Sequence, residues 1–295
     1  MTQAIQPSES GLALRILRYP LVLLVIGFLF FGILYGLTAA AATASQPLRN
    51  TPLQLMITLA CAALAVFAYK LFQRWLERRE DAEFALADAG KELGLGLAIG
   101  FLLFSLMVGI VALLGGFGID GLRGMGRFWS VLSLSIASGL FEEVMFRGIA
   151  FRQIEAVAGS WVALALTSAF FGASHLANPD ATLFAAFAIA VEAGILLGAA
   201  YMLTRRLWLA AGIHAAWNFT QGWIFSAPVS GGKAPDGLLL THRSGPDWLT
   251  GGGFGLEASV IAMLVATAAG LVMLVMALRR ERVVPAPWQR RPGAL

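Results

Sequence analysis

Gly139-Leu140-Phe141-Glu142-Glu143-Val144-Met145-Phe146-Arg147-Gly148 places two adjacent acids and an arginine inside an apolar segment that begins near Trp129 and runs through Ile149 to Phe151. Each charge within a bilayer core is costly, and a charged residue inside a span is read first as functional. Residues four apart share a helix face, so Glu143 and Arg147 can pair, while Glu142 points about 100° away from Glu143. Glu142 is thus the acid left free, a carboxylate able to take a proton from water. A structural ion pair that fixes helix packing is the competing reading of the same motif.

The rest of the chain supports a membrane setting. Its 295 residues are 58% hydrophobic and 13% charged, with mean hydropathy +0.77, against about 45–50% apolar and about 25% charged in soluble domains. The expected fold class is therefore an all-α polytopic membrane protein. The lone cysteine, Cys61, lies in an apolar run, which excludes a disulfide framework and a cysteine-based metal site. A net charge of +4 could suggest nucleic acid, but the basic residues fall in the gaps between apolar runs, where membrane orientation explains them.

At about 20 apolar residues per span, eight helices are expected, near 17 to 38, 52 to 72, 94 to 115, 128 to 151, 160 to 178, 182 to 203, 207 to 226 and 256 to 278. The first is expected to be retained, because its apolar stretch exceeds the usual 7 to about 15 residues of a signal peptide. With the N-terminus inside, the cytoplasmic side carries Arg15, Arg18, Lys70, Arg74, Arg78, Arg79, Lys91, Arg152, Arg205, Arg206, Arg279, Arg280, Arg282, Arg290 and Arg291. The outer side carries only Arg49, Arg123, Arg127, Lys233 and Arg243. That asymmetry places both termini in the cytoplasm, in a multi-pass plasma-membrane protein. Gln73 to Leu93 mixes both signs of charge and reads as a solvated cytoplasmic helix extension. Ser226 to Gly255 is too long for a plain connector, and His242 within it reads as a solvated loop residue.

Further polar residues lie in the spans. His175 follows Phe171 by one turn on the fifth, His214 and Asn218 share a face of the seventh, and Glu192 lies on the sixth. Glu142 and His175 are each about 25 Å along antiparallel helices from the turn near Ala158, hence side by side. His214 joins them if that hairpin extends roughly 10 Å into the cytoplasm, which sets the site on the cytoplasmic side of the bilayer. Glu192 either lines the same cavity or pairs with a neighbouring polar group.

Taken together, Glu142-Glu143-Val144-Met145-Phe146-Arg147-Gly148, then Phe171 with His175, then His214 with Asn218, resemble the three motifs of the CPBP family of intramembrane proteases. That family includes the CAAX prenyl endopeptidases and bacterial proteins related to them. The resemblance covers residues 129–226, read as the catalytic core of a single membrane domain over 1–295. It implies peptide-bond hydrolysis within the membrane. Glu142 with His175 would activate water, His214 and Asn218 would stabilise the oxyanion, and Glu143 and Arg147 would hold the geometry. The partners it implies are the lipid bilayer and a protein or peptide substrate. The family has been described both as metallo and as glutamic; two histidines and a glutamate suit zinc, yet no HExxH pair exists here, so a metal-free glutamate mechanism is favoured and the metal is left open.

Two other classes compete. A secondary transporter also places Glu, Arg and His at mid-depth, but the chain has no repeated halves. A non-catalytic member serving in bacteriocin self-immunity or as a scaffold would keep its function after Glu142→Gln.

Overall fold

The computed structural model describes residues 11–44 and 48–289. A short helix, α1 (Leu12–Leu17), has no buried residue and leads into α2 (Pro20–Ala44). α3 (Pro52–Phe72) starts with a proline in the first turn, where its missing N–H costs nothing, and Thr51 caps it by accepting from the Gln54 N–H. It continues into a π-helical turn, Gln73–Glu77, which ends on Arg78 in the left-handed conformation.

α4 (Ala89–Leu113) leads to β1 (Phe117–Leu122). α5 (Phe128–Glu143) continues as a π-helical segment, Val144–Phe151, into α6 (Arg152–Ser174). α7 (Leu183–Ile189), a π turn at Ala190–Gly194 and α8 (Ile195–Thr204) make the next span. α9 (Trp208–Phe219) ends in a third such turn, Thr220–Ile224. β2 (Leu239–Arg243) pairs antiparallel with β1, and after the short α10 (Asp247–Thr250) the last span is α11 (Val260–Arg279).

All eight expected spans are helical. Among the described residues six stretches are long and apolar enough to cross a membrane, and one of them, Phe128–Ala177, contains two of the expected spans. They are separated at Gly159, whose φ of 80° and ψ of 169° break the helix. A Cβ there would also lie 2.6 Å from the Ala286 nitrogen, because the C-terminal segment crosses the turn. The α9 stretch is shorter, 12 α-helical and 5 π-helical residues. The final span starts at Val260 rather than near 256 because Ser259 caps it from the Ala262 N–H.

One expectation about a charged stretch needs correction. Gln73 to Leu93 is no solvated helix: residues 78–88 are non-helical, and Gln73, Glu83 and Phe84 are buried. The reason is charge pairing across helices. Glu77 accepts from Arg79 (2.6 Å) and from Arg152 at the start of α6 (2.5 Å), and Glu83 accepts from Arg79 (2.7 Å) and Gln73 (2.6 Å). The segment 226–255, too long for a plain connector, is tied down at several points. Arg243 holds it by donating to the carbonyls of Thr250 and Gly252, and β2 lies against β1. Arg290 and Arg291, used in the orientation argument, lie outside the described residues, as do both termini.

Small residues set the central packing. A Cβ on Gly96 of α4 would lie 2.4 Å from the Leu209 carbonyl, and Gly212 of α9 meets Gly96 in return. This close approach suits spans without a hydrophobic driving force between them. It fixes α9, and with it His214, against α4. Large apolar side chains such as Leu29, Ile33, Leu102 and Leu264 are exposed around the outside, as bilayer contact requires.

Candidate active site

The two adjacent acids have different surroundings. Glu143 is fully buried, and its Oε1 accepts from Arg147 Nη1 at 2.8 Å, the i,i+4 pair expected from the sequence. The same oxygen accepts from His214 Nδ1 at 2.9 Å. Glu143 thus ties α5 to α9. Arg147 reaches onward to the carbonyls of Ala193 (3.1 Å) and Gly194 (3.4 Å), in the π turn between α7 and α8, and its guanidinium lies 4.9 Å over the Phe171 ring. One ion pair therefore holds four spans in register.

Among the described residues Glu142 has no Lys or Arg partner. Its carboxylate remains 20% exposed, and its Oε2 lies 3.8 Å from His214 Nε2. The imidazole of His214 therefore stands between both acids, one at each nitrogen. The Tyr35 hydroxyl of α2 donates to Glu142 Oε1 at 3.4 Å, and its ring stacks on Phe141 at 5.2 Å.

His175 is the residue that closes α6. Its Nδ1 donates to the Phe171 carbonyl at 2.7 Å, which leaves Nε2 as the acceptor. Its ring packs at 4.8 Å from Phe171, and the His214 ring packs at 6.1 Å from the same phenylalanine. Phe171 is thus the shared wall of both histidines. No hydrogen bond joins His175 to Glu142 among the described residues. The position of His175 also shifts the expected depth of the site: it lies at the end of α6 opposite Gly159, and Phe254 of the 226–255 segment packs 6.5 Å from its ring. The site therefore lies toward the end where β1 pairs with β2, rather than the Gly159 end.

Asn218, one turn beyond His214, donates through Nδ2 to Ser138 Oγ at 3.0 Å. Both residues line a cavity of about 30 Å³ shared with Glu192, Ser230 and Glu257, large enough for one or two waters. Glu192 lines this cavity with His214 and Asn218, but Glu142 and His175 are not part of its wall; the Glu192 Oε2 has no hydrogen-bond partner among the described residues. Glu257 precedes the last span and accepts from the Ser230 N–H. Burial pushes its carboxyl up to about 7, against the opposing pull of Ser230, His214 and Gln221.

Three of these π segments adjoin functional candidates: one begins directly after Glu143, one contains Glu192, and one begins two residues after Asn218. Such segments widen the helix locally and recur at functional sites. Tyr35, Ser138, Ser230 and Glu257 were not visible in the sequence as site residues. Nothing marks Tyr35 or Ser138 within their apolar runs; the only signal for Glu257 is an acid at the border of a span.

The arrangement fits a metal ion poorly. Among the described residues no group of three or more His, Cys, Asp or Glu side chains is placed to hold one, and both nitrogens of His214 already face carboxylates.

Residues 124–220 match the family of Rce1-like proteins, type II CAAX prenyl endopeptidase Rce1-like. This stretch, about a third of the chain, contains Glu142, Glu143, Arg147, His175, His214 and Asn218, and its match supports a place among the CPBP/CAAX-type proteases for a protein with several membrane-spanning helices. At the level of the family, the match supports a CAAX-protease-like intramembrane endopeptidase. Comparisons with curated proteins and with solved structures returned no match.

Proposed function

We propose that the protein cleaves peptide bonds in a membrane-associated polypeptide by a metal-free mechanism with Glu142 as general base. The observation that carries this reading is the division between the adjacent acids: Glu143 is buried in an ion pair, while Glu142 is partly exposed and faces His214 Nε2 at 3.8 Å. A carboxylate bound to arginine is a poor proton acceptor; one open to water is a usable base.

In this mechanism Glu142 takes a proton from a water whose oxygen attacks the scissile carbonyl carbon. The carbonyl oxygen becomes an oxyanion, stabilised by donors on α9. His214, held through Nδ1 by Glu143, presents Nε2–H in its protonated form, and Asn218 offers the Nδ2 hydrogen not used by Ser138. Glu142 then returns the proton to the amide nitrogen as the C–N bond breaks, leaving a carboxylic acid and an amine. His175, with Nε2 free to accept, orients the attacking water. Glu143 and Arg147 are positioning residues.

The test is comparative membrane and secreted peptidomics of a deletion strain of the host complemented with wild type or Glu142→Gln. Cleavage sites restored only by the wild type are expected, with cleavage by the purified protein surviving a zinc chelator. Identical peptide sets from the two strains would leave the scaffold reading standing instead.

A further inference from the structure

At the opposite end of the molecule from Phe254, where α2, α3 and α6 meet, lies a second polar cavity of about 220 Å³. Arg18, Arg79, Arg152, Glu77, Gln153 and Leu23 line it. Its charges do not balance. Glu77 accepts from Arg79 (2.6 Å), Arg152 (2.5 Å) and Gln153 (2.5 Å), and Glu83 behind it is a second carboxylate partner of Arg79 (2.7 Å) and Arg152 (3.4 Å). Two acids thus neutralise two arginines. Arg18 is half-buried at the rim and has no ion-pair or hydrogen-bond partner for its side chain among the described residues, so the cavity holds one uncompensated positive charge.

We propose that this cavity binds the headgroup of an anionic phospholipid from the adjacent leaflet. A lipid fits better than a free anion because the surroundings are those of a bilayer interface. Tyr19 and Trp75 are exposed there by 51% and 65%, as aromatic side chains at the headgroup level are. α1 exposes Leu12, Leu14 and Ile16, and α2 exposes Leu21 and Val25 directly beyond the cavity, which gives the acyl chains an apolar surface to follow. Basic pockets between spans at this level suit anionic headgroups.

The cavity is coupled to the acid motif. Arg152 Nε donates to the Gly148 carbonyl at 2.8 Å, and Tyr69 donates to the same carbonyl at 2.7 Å. Gly148 ends the stretch that starts at Glu142. A headgroup that engages Arg18 and Arg152 therefore braces the helix end that carries Glu142 to Arg147, and the lipid stabilises the fold whether or not the protein cleaves peptides.

The full chain, delipidated in detergent, is titrated with phosphatidylglycerol, phosphatidylcholine or sodium phosphate, with adducts followed by native mass spectrometry and Tm by intrinsic fluorescence. Phosphatidylglycerol is expected to form a retained adduct and to raise Tm, with little effect from phosphatidylcholine or inorganic phosphate. Arg18→Gln removes no bond within the protein and is expected to weaken phosphatidylglycerol binding roughly fivefold, the contribution of one basic residue at an anionic membrane surface. Arg15→Gln, on exposed α1 outside the cavity, is the control and should bind as the wild type does. Equal binding of phosphatidylcholine, an equal Tm rise with inorganic phosphate, unchanged binding by Arg18→Gln or an equal loss in Arg15→Gln would each overturn the assignment.

Discussion

Replacing Glu143 by glutamine tests the centre of the site. Glu143 Oε1 receives both Arg147 Nη1 (2.8 Å) and His214 Nδ1 (2.9 Å), and neither the acid nor the arginine is more than 1% exposed. The substitution removes the charge but leaves the guanidinium buried, with only the Ala193 and Gly194 carbonyls as further acceptors. Breaking a buried pair in this way costs about 3 to 5 kcal/mol. At roughly 2 to 4 °C per kcal/mol for a chain of this order of size, the loss in Tm is on the order of 10 °C. The eight tryptophans provide the unfolding signal. A double variant, Glu143→Gln with Arg147→Met, leaves no buried charge unpaired and should recover much of the stability, yet remain poorly active because His214 has lost its holder. An unchanged Tm in the single variant, or a double variant no more stable than the single, would refute the positioning role.

Glu142→Gln should cut peptide cleavage by about 10²- to 10⁴-fold with little change in Tm, since the side chain makes one long hydrogen bond and is partly exposed; a stable but active variant removes Glu142 as the base. Tyr35→Phe deletes a hydrogen bond to Glu142 worth on the order of 1 kcal/mol, so turnover should fall several-fold at unchanged Tm, and wild-type turnover would count against a role for α2. Glu257 has its pKa raised to about 7 in the fold, above about 4.3 when unfolded. The folded state therefore holds the extra proton in that window, and stability should fall as pH rises from about 4.3 to 7; Glu257→Gln should flatten the Tm profile there. For orientation, Arg206 reaches the Ala87 carbonyl and Arg205 the Arg282 carbonyl, which puts these segments at one end; reporter fusions at Arg79 and Arg206 should read cytoplasmic and one at Lys233 outside, and any other pattern reverses the assignment.

The sequence by itself determined the membrane setting, the eight helical segments and the Glu143–Arg147 pair. Each follows from local physics: long apolar runs have no other stable form in lipid, and residues four apart meet on any helix. Motif spacing, and the resemblance it carries, also singled out six side chains as candidates. What it could not determine is who meets whom across spans. That His214 bonds Glu143 while facing Glu142 follows from the close approach of α9 to α4 and α5, through contacts such as Gly96 with Leu209. The same limit hid Tyr35 and Glu257, which enter from outside the recognisable core, and it made Gln73 to Leu93 look solvated. Charge alternation reads as exposure in one dimension; only the tertiary structure brings Arg152 across 75 residues to Glu77 and buries the network.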